Sequence, residues 1–233
     1  MNGEGDELKQ RVADLDPSVA LEAIQEALVA DDDALAWLVP MAVSDESPLV
    51  RLRALNILAQ RGRHDHVHDL LPALKSEADI HVLASLVMVL GKIGGPELLD
   101  ELAQFLDHTD RRVRANAVES IGQVGGDAAV SLLEPLLADP DNRVRANAVI
   151  ALFNLGEIDH MDVLEKMLHS DQEFFADSAR YALGRIGLHK LVESVGFTEL
   201  TESLGDVHDH HDKGVIRDAV FSVGLLLQKR FVG

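Results

Sequence analysis

Cysteine is missing from all 233 residues. That excludes disulfides, thiolate metal sites and cysteine nucleophiles, and nothing points to an oxidising compartment. Aromatic residues are scarce, 4% against 47% hydrophobic, so the core must be built from Leu, Ile, Val and Ala, which fill close helix–helix interfaces. Positive charge is short: 21 Lys plus Arg face 40 Asp plus Glu, a formal net charge of −19. Such a chain repels phosphate backbones unless its cations gather on one face, so nucleic acid is disfavoured as a partner. No stretch approaches the roughly 18 apolar residues needed to span a bilayer. Met1 to Asp16 is acidic and lacks the basic and apolar regions of a secretion signal. The expected setting is the cytoplasm, in solution, without a membrane.

What the chain does have is a repeat. The segment from Asp110, RRVRANAVESIGQVG, recurs from Asp141 as NRVRANAVIALFNLG. With the first valine of VRANAV as anchor, the equivalent residues are Val19, Val50, Val82, Val113, Val144, Phe175 and Val215, at intervals of 31, 32, 31, 31, 31 and 40. A fixed period in this range marks a stack of supersecondary units with one continuous core. Four residues past the anchors stand Ala23, Ala54, Leu86, Ala117, Ala148, Ala179 and Ala219, and eight past them Ala27, Leu58, Leu90, Ile121, Leu152, Leu183 and Val223. Apolar residues at 0, 4 and 8 form one stripe of a 3.6-period helix, so each anchor opens the second helix of a repeat. Gly62, Gly94, Gly125, Gly156 and Gly187 follow twelve residues later, where a left-handed cap is expected. A first amphipathic helix precedes each second one, as in 96–107, 127–138 and 158–169. Pro96 suits a first turn, whereas Pro72 and Pro135 fall inside first helices and are expected to bend them.

The prediction is an all-α fold, a right-handed α-solenoid of about seven two-helix repeats forming a single domain over 1–233. The repeats lie near 3–31, 32–62, 63–94, 95–125, 126–156, 157–187 and 188–230, the last carrying an insertion. Two helices per roughly 31 residues, with D-x-x-V-R-x-x-A-V-x-x-L-G across the second, resemble the HEAT-like repeats of the phycobilisome-lyase type. The resemblance covers about residues 14 to 228 and is strongest from 96 to 188. It implies the fold firmly and the activity weakly, because that family holds bilin lyases, metal-dependent hydroxylases, a DNA glycosylase branch and many scaffolds. The hydroxylase branch relies on His-Glu pairs, and this sequence has no His-Glu dipeptide. The glycosylase branch needs a basic groove with aromatics, against one Trp, one Tyr and a net −19 here.

The resemblance also implies a ladder of loop aspartates and second-helix arginines along the stack: Asp110 and Asp141 three before the anchor, Arg51, Arg114 and Arg145 one past it. Arg114 and Arg145, with Arg111, Arg112 and Arg143, read alternatively as an anion-binding strip. Asp177 and Arg217 replace apolar residues in adjacent copies and predict an ion pair, shared with Arg180, across the 40-residue interval.

Positions 3, 6 and 10 past the anchor share the flank of the buried stripe, which lines the concave side of a curved solenoid. They supply the candidate partner-binding residues Ser85, Met88, Asn116, Glu119, Gln123, Asn147, Ile150, Asn154, Tyr181, Arg185 and Phe221. Amides one repeat apart match the donors and acceptors of an extended backbone, a resemblance to armadillo-type recognition; the alternative is a solvated polar face. The last helix, Val215 to Phe231, is apolar on several sides, which suggests self-association. Two histidine groups, His64 with His68 and His208 with His210 and His211, are candidate metal ligands by residue type, although both fall in loops or at helix edges, and no cofactor is expected. The function expected is a protein-interaction scaffold, not an enzyme. The alternative is a metal-dependent or bilin-handling lyase.

Overall fold

The computed structural model describes residues 2–31, 35–157 and 160–186, and among these the regular structure is helical throughout. The seventh repeat, with Arg217, Phe221, His208, His210, His211 and the apolar last helix, lies outside the described residues. The chain divides into two compact units, one ending at Val124 and one beginning at Gly125.

The first unit holds α1 (Asn2–Val12), α2 (Pro17–Ala27), α3 (Leu38–Ser44), α4 (Pro48–Arg61), α5 (Val67–Leu70), α6 (Ala73–Ser76), α7 (Ile80–Ile93), α8 (Leu99–Ala103) and α9 (Arg111–Val124). The second holds α10 (Asp127–Leu133), α11 (Asn142–Asn154), α12 (Met161–Leu168) and α13 (Glu173–Ile186). The long helices α4, α7, α9, α11 and α13 are the second helices of successive repeats, and α2 plays that part in the first. In the first unit α7 packs between α4 and α9; in the second α11 packs on α13 and α12 on both.

The anchors explain this packing. Val82, Val113 and Val144 are each the third residue of their helix and fully buried, as are the alanines or leucines four residues on and Leu58, Leu90, Ile121 and Leu152 eight residues on. In the second unit Val149, Phe153, Leu164, Met167, Ala179 and Ile186 close one cluster. The first helices are short and broken where prolines fall. Pro72 separates α5 from α6, and Pro135 sits in the 3-10 turn Glu134–Ala138 that follows α10. A proline removes one helix N–H and clashes with the preceding turn.

The glycine expectation needs correction. Gly125 and Gly156 do adopt left-handed backbone, with φ of 77° and 97°. Gly62 and Gly94 are extended, with φ of −61° and −85°. What they require is room: a Cβ on Gly62 would stand 2.4 Å from the Leu58 carbonyl oxygen.

One loop device recurs before every described second helix. The side chain five before the anchor accepts the N–H of the residue three before it: Asp14 from Asp16 (2.8 Å), Asp45 from Ser47 (2.9 Å), Glu77 from Asp79 (2.8 Å), His108 from Asp110 (3.0 Å), Asp139 from Asp141 (2.8 Å) and Ser170 from Gln172 (3.2 Å). Where the residue three before the anchor is Asp, its carboxylate caps the helix. Asp79 accepts from the backbone of His81 and Val82, and Asp141 from that of Arg143 and Val144, which satisfies N–H groups that lack intrahelical partners.

Candidate functional site

The arginines that recur one past the anchor have a local structural use. Arg51 donates to the Asp45 carbonyl (2.7 Å), Arg114 to that of His108 (2.9 Å) and Arg145 to that of Asp139, always six residues back. Arg51 also grips Glu77 through Nε and Nη2 at 2.9 and 2.8 Å, tying one repeat to the loop of the next. Asp110 accepts from both the backbone and the side chain of Arg112. The Arg112 side chain and backbone hold the Asp110 carboxyl below its ordinary value, as the Val82 and His81 backbone N–H groups do for Asp79 and the Ser18 hydroxyl does for Asp16. Asp177 pairs with Arg180 one turn along α13.

On the flank, position 3 is largely turned to helix–helix contact. Asn116 donates its amide to the Ala84 carbonyl of α7 at 2.7 Å; one turn on, at position 7, the buried Ser120 donates to the Val87 carbonyl at 3.0 Å. Ser178 is buried and bonded by the Asn142 amide at 2.5 Å; that amide also holds the Phe174 carbonyl at 2.9 Å. Ser85 and Asn147 are half-buried.

Position 6 is mixed. Met88 and Glu119 are half-buried, Ile150 belongs to the core cluster of the second unit, and Tyr181 is exposed. Position 10 is exposed on every described second helix: Val29, Gln60, Lys92, Gln123, Asn154 and Arg185. Lys92 reaches the Ala59 carbonyl at 3.1 Å. Arg185 donates to the Tyr181 hydroxyl at 2.7 Å, with its guanidinium carbon 5.8 Å from the ring centroid. Phe174, seven residues before Tyr181, is exposed as well.

The first histidine group is spread over different partners. His64 Nδ1 lies 3.2 Å from the Ile93 carbonyl oxygen, His66 Nδ1 accepts the Arg63 N–H at 3.2 Å, and His68 faces Asp69. Among the described residues no three His, Asp or Glu side chains converge as metal ligands do. A cleft of about 560 Å³ opens in the first unit between an apolar wall of Leu38, Val39 and Val43 and a polar one of Arg63, His66 and Asp69. Sequence reasoning missed it because its walls come from two first helices whose separation no periodicity reports.

The family model for HEAT repeats matches residues 67–152 and 99–184, together half of the chain. The chain belongs to the HEAT repeat family. Solved HEAT-like and related structures share its fold. The complex of CpcE and CpcF of phycocyanin lyase from Nostoc sp. PCC7120 is 21% identical, covering 96% of this chain and 94% of that one, with a TM-score of 0.61. E. coli YibA is 18% identical over 94% of this chain and 91% of its own, TM-score 0.57. The archaeal HEAT-like repeats protein from Thermococcus onnurineus NA1 is 19% identical over 97% of both chains, TM-score 0.52. No curated protein matches in sequence. Among the described residues of this HEAT repeat chain, no helix is long and apolar enough to cross a membrane.

Proposed function

We propose that the chain is an interaction scaffold that holds a peptide or protein segment against the exposed flank of its second helices. The observation that carries this reading is the position-10 row. It is exposed in every described repeat, and after Val29 it reads Gln60, Lys92 and Gln123 in the first unit and Asn154 and Arg185 in the second, amide or cationic throughout. Hydrogen-bonding side chains repeated at the interval of the fold suit a partner laid across several repeats. Asn116 drops out as a reader, because its amide already serves Ala84.

A lyase-type role like that of phycocyanin lyase rests on fold likeness alone, and fold does not carry function. No described residue adds to it.

The test is affinity capture from cell extract with identification by mass spectrometry. It compares the native chain, a flank variant with Gln123→Ala, Tyr181→Ala and Arg185→Ala, and a control with Asp100→Ala and Asp107→Ala on the first-helix side. A partner retained by the native chain and the control but lost by the flank variant supports the proposal. Equal capture by all three sinks it.

A further inference from the structure

Resting on that reading, we infer that the first unit's part of the row selects an extended peptide segment with an acidic side chain against Lys92 and an apolar one, about six residues away, against Val29. Ten past its successive anchors the first unit carries Val29, Gln60, Lys92 and Gln123, all exposed. Contacts toward the C-terminal ends of the helices make these four residues neighbours in that order. Arg61 Nη1 donates to the Leu28 carbonyl at 2.9 Å, Lys92 Nζ donates to the Ala59 carbonyl at 3.1 Å, and Gly91 lies against Ser120. Packed helices stand about 8–10 Å apart, so each step along the row is the reach of about three residues of extended chain at ~3.3 Å each. Lys92 stands two steps from Val29.

Among the described residues Lys92 has no counter-ion. An ammonium carries three donors, and that of Lys92 makes one hydrogen bond, to the Ala59 carbonyl, and pairs with no described carboxylate. The bond ties the end of a long side chain to α4, which lowers the ordering cost of meeting a ligand, and it leaves two N–H groups for an acceptor. At positions 3, 6 and 10 of α4, α7 and α9 the one acid is the half-buried Glu119, against Arg53 and Lys92, although the whole chain has 40 acids to 21 cations. An acidic side chain therefore complements this stretch. The amides on either side, Gln60 and Gln123, have no partner among the described residues, and each offers donors and an acceptor to the main chain of the segment. They discriminate little between side chains, so selection falls to Lys92 and Val29.

Val29 is the apolar member of the row. It follows the end of α2 and is 83% exposed. Covering it with an apolar side chain of the segment removes area from water that the folded chain leaves wet.

The experiment is selection of a phage-displayed random dodecapeptide library on the full chain, followed by fluorescence anisotropy of a selected peptide on the native chain, Lys92→Glu, Val29→Asp and Lys75→Glu, the last altering an exposed lysine of α6 on the first-helix side. The expected result is a fixed Asp or Glu about six residues from a fixed apolar residue. Exchanging the acid for its amide should weaken binding to the native chain and to Lys75→Glu about three- to fivefold, the scale of an exposed ion pair, and should strengthen it on Lys92→Glu. Exchanging the apolar residue for Ser should weaken binding to the native chain and leave binding to Val29→Asp unchanged. The variants alter exposed side chains, so their thermal unfolding should stay close to that of the native chain. Selected peptides that lack the fixed acid or the fixed apolar residue, an acid-to-amide penalty that survives on Lys92→Glu, or one that Lys75→Glu abolishes as well, overturn the inference while leaving the scaffold reading in place. A library that yields no binding peptide overturns both.

Discussion

At the scale of single residues, the loops before the second helices do most of the local work. Asp141 caps α11 with two backbone hydrogen bonds, and removing such a cap costs about 1 kcal/mol. Asp141→Ala should lower the unfolding free energy by about that amount in urea titration, with an unchanged denaturant slope. Asp16, Asp79 and Asp110 carry carboxyls held below the ordinary value of 3.8. A lowered value in the folded state means the stabilisation is fully present above the unfolded value and is lost as pH falls through the folded one. Asp110→Asn should therefore melt below the native chain at neutral pH, and the two melting curves should converge as pH drops below 3.8. Convergence at a higher pH, or a constant gap, would refute this assignment. Asp110 and Asp141 were visible in the sequence at a fixed offset, read there as rungs of a ladder with the arginines, but their capping role and the residue two before each capping aspartate were not. Asp14, Asp45, Glu77, His108, Asp139 and Ser170 share only an acceptor atom, and a pattern search by residue type does not register a common lone pair. Asn116 shows the converse: an amide that looks like display in one dimension is consumed once α7 comes within 2.7 Å.

Between elements, α7 and α9 come close together at Gly91. A Cβ on Gly91 would fall 2.2 Å from that of Ser120 and 2.6 Å from its Cα, so the two helices meet at these residues. Among the described residues, nothing lies within 4 Å of a Cβ placed on Gly184 in α13. The two glycines should respond with opposite sign. Gly91→Ala should destabilise by about 1–3 kcal/mol through overpacking, and Gly184→Ala should stabilise by about 0.5–1 kcal/mol through helix propensity; thermal and urea unfolding report both. The Arg51 to Glu77 link is the other strong contact between repeats, with side chains only 13% and 8% exposed. Glu77→Ala leaves a mostly buried guanidinium without its carboxylate and should cost about 3 kcal/mol. The stripe of anchors was legible because burial repeats every turn, and the broken first helices because Pro72 and Pro135 announce themselves. Gly91 was not, since a mid-helix glycine reads as a weak helix former until the neighbouring helix is in place.

For the whole molecule, the HEAT architecture means that within each compact unit the repeats pack on one another. On the proposed reading, recognition uses the outward positions this leaves, on the flank of α4, α7 and α9 in the first unit and of α11 and α13 in the second. The net charge of −19 affects approach and salt dependence over the whole surface. Site-specific photo-crosslinking is the most direct test of where the partner sits. A benzophenone amino acid would be placed singly at Gln60 or Gln123 on the second-helix flank and at Asp100 or Ser131 on the first helices, all exposed positions. The account predicts that the same partner is crosslinked from Gln60 and Gln123 and not from Asp100 or Ser131. Crosslinks from the first-helix positions alone would contradict it.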